Sequence, residues 1–342
     1  MIELSPEAAV EYLIRRRIIS SESAATARLL TGGVSNLVLR IDIPSDESMV
    51  LKQSRTRLRT EADWFSRLER VFREVEAQRA LYNLLPPGSV PRVVFEDRDN
   101  FCYGMTAVPE NHRVWKQQLL SGDIDQQLFV EAGRLLATIH RRSLRRPELL
   151  SAPTDVSVFQ ELRVDPYYHW IAERHPAIRP AIGALIVEMS AHALCLVHAD
   201  FSPKNLLVHD EGFTLVDFET VHFGDPAFDL GFFFSHLCLK AIALPHVRKQ
   251  LMDGIQSGWA AYREEWPAGS SDSPDGISEI SKRAVRHLAG CLLARVDGKS
   301  PVDYLTNPLH QALVRDLSLD WLVNPPGDLD TAFARFSNSV DE

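Results

Sequence analysis

The 342-residue chain is predicted to be an α+β protein of two lobes: a small β-rich N-terminal lobe and a larger, mainly helical C-terminal lobe. Three observations predict this. Up to about residue 108 the hydrophobic pattern reads helix, two strands, helix, two strands. Beyond Pro109 the pattern becomes mostly helical. Two short apolar runs, Leu196-Val197-His198-Ala199-Asp200-Phe201 and Phe213-Thr214-Leu215-Val216-Asp217-Phe218-Glu219, interrupt the helices, and each ends among acidic residues. The lobes are expected to span residues 1–106 and 107–342.

Ser5-Pro6-Glu7 ahead of Ala9, Val10, Leu13 and Ile14 reads as a capped amphipathic helix. The turn Thr31-Gly32-Gly33-Val34-Ser35-Asn36 then feeds the alternating Leu37, Leu39, Ile41 and Ile43, which is a strand pattern. After Pro44-Ser45-Asp46, Met49-Val50-Leu51-Lys52 makes a second strand, so the two form a hairpin. Residues Trp64 to Leu85 carry Phe65, Leu68, Val71, Val75, Leu81 and Leu84 at helical spacing and stop at Pro86-Pro87-Gly88. Strands are expected at Val90–Phe95 and Phe101–Val108, around the polar turn Asp97–Asn100. Asp125–His140 is a helix with its basic residues at the C-terminal end, where they complement the helix dipole. Pro180–Leu194 is another. The two apolar runs are expected to pair as short strands whose ends face a cleft. Leu230–Leu244 is apolar but is interrupted by His236 and Lys240 and is too short to span a bilayer, so it reads as a buried helix. Residues 267–278 form a polar loop.

Composition narrows the function classes. An apolar fraction of 45% and a charged fraction of 24% are those of a soluble globular protein. The net charge of −9 argues against a nucleic-acid-binding surface and against an anionic membrane as partner. It leans towards a cationic ligand, although global charge says little about one pocket. Cys102, Cys195, Cys238 and Cys291 are far apart, which suits reduced thiols in the cytoplasm better than a disulfide framework or a zinc site. The N-terminal stretch has no basic segment followed by an apolar one, so no secretory signal is expected.

The densest chemistry lies in Val197-His198-Ala199-Asp200-Phe201-Ser202-Pro203-Lys204-Asn205, followed twelve residues after the Asn by Asp217-Phe218-Glu219. Phosphoryl transfer needs a carboxylate at the acceptor hydroxyl, oxygen ligands for Mg²⁺ and a grip on the nucleotide phosphates. Asp200 can orient or deprotonate a hydroxyl, the Asn205 amide oxygen can reach a metal, and Asp217 can bridge phosphates through it. Taken singly each has a blander reading: Asp200 as a turn cap, Asp217 as a helix cap, Lys52 as a solvated strand residue. Their joint order is what points to a kinase.

The pattern HxDxxxxN followed by DxE resembles the aminoglycoside phosphotransferase, choline kinase and methylthioribose kinase superfamily, whose members share the protein-kinase-like bilobal fold. The resemblance extends over most of the chain and implies ATP and Mg²⁺ as cofactors. It also implies a small-molecule hydroxyl acceptor such as a sugar, amino alcohol or aminoglycoside. Gly32, Gly33 and Ser35 match the phosphate-covering turn, Lys52 the phosphate-gripping lysine, and Glu74 its partner, with Glu76 less favoured. Met105 to Val108, including Ala107, would connect the lobes and present backbone to adenine. Asp200 would be the catalytic carboxylate, with Asn205, Asp217 and Glu219 as metal ligands. Lys204 could stabilise the transferring group or simply form a salt bridge. Gly224-Asp225-Pro226-Ala227-Phe228-Asp229-Leu230 matches a GDPxxDL segment, which makes Asp229 a support for the catalytic loop and His198 a buried scaffold residue.

There are departures from the pattern. Ala199 replaces the family's glycine, a mild change that removes no ligand. Glu219 stands where a protein kinase has the glycine of DFG, and no activation segment follows. Ser202 occupies the place of a protein kinase's catalytic-loop lysine, while Lys204 lies beside Asn205. These favour a small-molecule kinase over a protein kinase; an ATP-binding pseudokinase acting as an interaction module is the third reading. For the acceptor, Asp165 and Tyr168 in an aromatic stretch, and Arg295 and Asp297 near the C-terminus, are the candidate contacts. Arg141, Arg142, Arg145 and Arg146 read as a solvated helix end, and Trp259, Tyr262 and Trp266 as core.

Overall fold

The computed structural model describes residues 2–30, 36–44, 46–55, 65–267 and 276–341. Ser5 caps α1 (Pro6–Arg15) by accepting from the Ala8 N–H. The chain continues through β1 (Thr26–Leu29), β2 (Asn36–Asp42), β3 (Met49–Ser54), α2 (Arg70–Leu84), β4 (Val93–Asp97) and β5 (Cys102–Thr106). These strands form one antiparallel sheet in the order β1-β2-β3-β5-β4. β1 adds an edge strand to the expected hairpin; its Thr-Ala-Arg-Leu sequence is largely exposed and so carries no alternation signal.

The two-residue period of the strands decides what each face of the sheet meets. Leu37, Leu39 and Ile41, with Met49 and Leu51, pack against Ala9, Tyr12 and Leu13 of α1. Val50, Tyr103 and Met105 point the opposite way, onto Val71 and Val75 of α2. Lys52 lies two residues beyond Val50 and therefore falls on the α2 face. On α2, Val71, Glu74, Val75, Gln78 and Leu81 are all buried, a helical face with one carboxylate in it. The helix starts at Arg70 rather than at Trp64, which lies outside the described residues. Ser66 and Arg67 instead bond the Glu161 carboxylate, at 2.8 Å for the serine and 2.6 Å for an arginine nitrogen, tying the approach to α2 onto the other lobe.

The C-terminal lobe comprises β6 (Arg113–Val114), α3 (Trp115–Leu120), α4 (Gln126–Ser143) and α5 (Ser157–Phe159). α5 runs into a π-helical stretch, Gln160–His169, and then α6 (Trp170–Arg174) and α7 (Arg179–Ala191). β7 (Cys195–Val197), β8 (Leu206–His209), β9 (Gly212–Leu215) and β10 (His222–Gly224) follow. The remaining helices are α8 (Pro226–Ala243), α9 (Arg248–Glu265), α10 (Ile277–Asp297), α11 (Pro308–Val323) and α12 (Leu329–Asp341). α8 is long and apolar enough to cross a membrane, yet 94% of its apolar window is buried inside the protein, so it is the core helix expected near Leu230–Leu244. All four cysteines are buried and free.

The two apolar runs do not pair with each other as expected. β7 pairs with β10, and β9 pairs with β8, which also pairs with β6. β8 and β10 were not expected at all, because three or four residues are too few to establish a period. The consequence for the site is useful: Asp200 follows β7, Asn205 precedes β8, and Asp217 and Glu219 lie between β9 and β10, so four strand ends surround one crevice. Cross-links hold these loops together, with the Asn205 N–H donating to Ser202 O (2.9 Å) and the Val216 N–H to Asn205 O (3.1 Å).

Candidate active site

Lys52 and Glu74 meet because a strand face and a helix face meet. The Lys52 Nζ donates to Glu74 Oε1 (2.7 Å) and to Asp217 Oδ1 (2.6 Å), joining the lobes through one ammonium. Glu76 instead accepts from the Ser151 N–H, so Glu74 is the residue beside Lys52. Glu74 Oε1 also accepts from the Phe218 N–H (3.1 Å), while its Oε2 is buried and has no partner among the described residues. Burial alone would lower Lys52, but Asp217 and Glu74 hold its ammonium well above the ordinary value. Burial raises the Glu74 carboxyl to about 7 against the downward pull of Lys52.

Asp200 is buried and enclosed by positive charge. Its Oδ1 is 2.8 Å from an Arg163 guanidinium nitrogen, and its Oδ2 is 2.7 Å from Lys204 Nζ and accepts from Asn205 Nδ2 at 2.8 Å. Burial raises its carboxyl, but Arg163 and Lys204 prevail and hold it below the usual carboxylate range. A carboxylate held that low is a weak base, so it suits aligning a hydroxyl better than stripping its proton early. Asp217 is likewise lowered: burial opposes, while Lys52 and Lys204 dominate. Lys204, half exposed, spans the two carboxylates, with Nζ 3.8 Å from Asp217 Oδ2.

The loop carrying Asp200 hangs on Asp229, at the start of α8. Asp229 Oδ2 accepts from the His198 N–H and Oδ1 from the Ala199 N–H, both at 2.7 Å. His140 Nε2 lies 3.1 Å from the same carboxylate, and its Nδ1 is 2.8 Å from the Tyr262 hydroxyl. His198 is buried with Nδ1 accepting from the Asp200 N–H (3.2 Å), and burial lowers its pKa. Ala199 adopts φ +58° and Asp217 φ +74°, left-handed conformations that cost non-glycine residues energy and gather at functional sites.

Whether the residues fit Mg²⁺ is tested by the donors and the charge they already attract. Asp217 and the Asn205 amide oxygen are hard oxygen donors of the kind Mg²⁺ takes. Carboxylate oxygens of Glu74, Asp217 and Glu219 lie within 4.8 Å of one another, and the Lys52 ammonium sits against two of them, so the spot draws a cation. Glu219, expected as a further or water-mediated ligand, belongs to that carboxylate group and also serves the contact between the lobes. Its Oε2 accepts from Asn36 Nδ2 (3.0 Å) and Arg70 Nε (3.1 Å), which latches the lobes together. A cavity of about 630 Å³ lies behind α2, lined by Arg67, Arg73, Glu76 and others, but it includes none of Asp200, Asn205 and Asp217.

Several other expectations change. Gly32, Gly33 and Ser35 lie outside the described residues. The Met105 side chain is buried against α2, and the Ala107 N–H already donates to Ser48 O (2.9 Å), so that donor is not open to an adenine edge. Tyr168 is fully buried, its hydroxyl 2.7 Å from His287 Nδ1, and cannot touch an acceptor. Asp165 is exposed and bonded to Gln160 of its own helical stretch. Asp297 is saturated by a two-pronged bond from Arg315 (2.8 Å each) and by His175 (2.7 Å), which fastens α10 to α11. Arg295 remains in play: it bonds the Tyr167 hydroxyl (3.1 Å) and Ser300 O. Arg163 was missed. Its signal was an arginine between the apolar Leu162 and Val164, since a buried guanidinium must find a carboxylate or carbonyl.

The model of the Phosphotransferase enzyme family matches residues 26–264. The methylthioribose kinase of Geobacillus kaustophilus is 22% identical over 338 residues, covering 85% of this chain and 83% of the relative. That of Klebsiella pneumoniae subsp. pneumoniae is 22% identical over 280 residues, covering 71% and 69%. Two solved structures share the fold. A choline/ethanolamine kinase family protein from Mesorhizobium loti matches with TM-score 0.50 at 16% identity, over 97% of this chain and 98% of that one. An amicoumacin kinase in complex with AMP-PNP, Ca²⁺ and Ami matches with TM-score 0.55 at 14% identity, over 97% and 99%.

Proposed function

The chain belongs to the Phosphotransferase enzyme family, and on that premise we propose that it is an ATP- and Mg²⁺-dependent kinase moving the γ-phosphoryl group of ATP to a hydroxyl of a small molecule. The observation that carries the reading is the convergence of Lys52, Asp200, Asn205 and Asp217 on one crevice, with Glu74 behind the lysine. The relatives act in this way by name, as methylthioribose, choline/ethanolamine and amicoumacin kinases. The lobe of residues 1–106 would cover the nucleotide, and that of residues 107–342 would carry the catalytic loop and the acceptor. Nothing favours a protein kinase or a pseudokinase. The four buried free thiols suit a cytoplasmic setting.

Asp200 receives the acceptor O–H and aligns its oxygen on the γ-phosphorus. The new P–O bond forms as the bond to the bridging oxygen of ADP breaks, and the hydroxyl proton passes to Asp200 late, once its acidity has risen. Lys52, oriented by Glu74, would hold phosphate oxygens, a role expected also of Gly32, Gly33 and Ser35. Lys204 sits between the acceptor carboxylate and the metal ligand, where it can meet charge on the transferring group. Asn205 and Asp217 would hold Mg²⁺, which supplies charge neutralisation between the phosphates. Little covalent work falls to the protein, so positioning and electrostatics carry the acceleration.

Asp200→Asn keeps the shape and removes the charge. It is expected to cut turnover on the order of 10³-fold, while AMP-PNP with Mg²⁺ still raises the melting temperature as in the wild type. Full turnover in this variant would overturn the assignment. An ADP-release screen over hydroxylated metabolites, with the Asp200→Asn protein as blank, identifies acceptors.

A further inference from the structure

A second group of charges lies one aromatic layer away from Asp200, and the phosphoryl-transfer machinery does not use it. Arg163, paired with Asp200, stacks 5.4 Å from the Phe232 ring centre and 5.9 Å from that of Tyr167. Phe232, His236 and Lys240 follow one another at four-residue steps, on one face of α8. The Phe232 and His236 rings are 4.9 Å apart. From α10, Arg295 also approaches Tyr167, at 6.0 Å from its ring centre. From α3, Lys116 donates its backbone N–H to Pro203 O (2.8 Å), which fixes it beside the catalytic loop.

The side chains in this group are short of partners. Lys240 is 1% exposed, yet among the described residues its ammonium meets only the His236 carbonyl (3.0 Å) and the face of Tyr304 (5.1 Å). Lys116 also faces the Tyr304 ring, at 5.5 Å. Among the described residues, Arg295 Nε, His236 Nε2 and the Tyr304 hydroxyl are all buried without a hydrogen-bond partner. Among the described residues, the acid that answers these cations is Asp303, exposed and 3.1 Å from Lys116 Nζ. Buried cations are ordinarily paired, and an uncompensated one is costly. Burial, with Lys116 and Arg295 alongside, lowers the Lys240 ammonium to about 7.

We propose that this cluster is the recognition end of the acceptor site, and that the acceptor is a hydroxylated organic anion whose carboxylate or phosphate lies among Lys240, Arg295, Lys116 and Tyr304 while its hydroxyl faces Asp200. The inference rests on the kinase reading and adds the substrate class. It reverses what the net charge of the chain suggests, because Lys240, Arg295 and Lys116 gather here with Asp303 as the one nearby acid among the described residues, although the whole molecule is acidic. A cationic acceptor would meet the Lys240 and Arg295 charges, which have no carboxylate partner among the described residues, whereas Lys116 and Lys204 are already paired with Asp303 and Asp200. An anionic acceptor would supply the missing partners.

The test fills the nucleotide site first. With AMP-PNP and Mg²⁺ saturating, wild type is titrated with sulfate, D-gluconate, D-glucose and D-glucosamine against chloride at equal ionic strength, following the melting temperature. Sulfate and gluconate are expected to stabilise the wild type, and glucose and glucosamine are not. Lys240→Met and Arg295→Gln are expected to weaken the anion response roughly tenfold each, the worth of one charge-assisted hydrogen bond, while keeping the AMP-PNP response. In ADP-release assays the acceptors that turn over are expected to be anionic, with KM raised in both variants. No anion-dependent stabilisation in wild type, an equal response in both variants, or an equal kcat/KM for a neutral or cationic acceptor overturns the proposal. Loss of the AMP-PNP response in wild type would instead sink the kinase reading itself.

Discussion

Ala199 sits at φ +58° with its methyl group fully buried, immediately before the aspartate at the centre of the site. Glycine occupies that conformation without a Cβ penalty but has more freedom to lose on folding. Ala199→Gly is therefore expected to change stability by about 0–1 kcal/mol in the favourable direction, read as the urea midpoint, with turnover preserved. Lys240 gives a pH-dependent case. Its folded value of about 7 lies below the ordinary 10.5, so the folded state bears the cost of the buried charge below about pH 7, and that cost fades as pH climbs towards 10.5. The charges facing it are Lys116 from α3, Arg295 from α10 and Asp303 from the loop beyond. Lys240→Met should raise the melting temperature clearly at pH 6, by the equivalent of about 2–4 kcal/mol, and hardly at all above pH 10; a gain of equal size at both would refute the buried-charge account. At this scale the sequence was informative wherever chemistry demands a residue type at fixed spacing, as with Asp200, Asn205 and Asp217. It was silent where a side chain matters through what the fold brings beside it. Arg163 and Lys240 are distant from Asp200 and Tyr304 along the chain, and Asp297, which looked like a contact, is engaged by Arg315 eighteen residues away.

Among the elements, the crossing of α4 and α9 sets where His140 stands, and through it Asp229 and the catalytic loop. The crossing is close because Gly133 faces the backbone of Gly258: a Cβ on Gly133 would meet the Gly258 carbonyl oxygen at 2.1 Å. Gly133→Ala should cost about 1–3 kcal/mol by overpacking and lower turnover along with stability. Gly183→Ala in α7, where the added methyl meets nothing within 4 Å, should instead stabilise by about 0.5–1 kcal/mol. Thermal denaturation of the two variants side by side checks both. Helices and long strands were legible because amphipathic spacing repeats several times within them. β8 and β10 were not, nor was the partner of β7, since pairing of three-residue strands is decided by the packing around them. The first turns of α2 were misjudged for a related reason: Glu161 captures Ser66 and Arg67 before a helix can include them.

Across the whole molecule the lobes are held by buried polar bonds over the proposed nucleotide cleft: Lys52 with Asp217, Phe218 with Glu74, and Glu219 with Asn36 and Arg70. The ammonium of Lys52 supplies positive charge to the buried carboxylates of Glu74 and Asp217. Lys52→Met should thus lower stability by about 2–4 kcal/mol, because it strands buried Glu74. It should also abolish most of the stabilisation by AMP-PNP with Mg²⁺. The double variant Lys52→Met/Glu74→Gln should recover part of the first loss but none of the second, a non-additivity that melting curves can measure. α8 has a further consequence. Its first turn anchors the loop of Asp200, its second packs on Arg163, and its last holds Lys240, so one stiff rod connects the place of reaction to the place of recognition. Eight residues from Phe232 to Lys240 advance about 12 Å, and no hinge lies between them. Such a spacer tolerates little error in length, so a homologous series of ω-hydroxy acids should give a sharp optimum in kcat/KM, with chains shorter or longer by two carbons falling away steeply on either side.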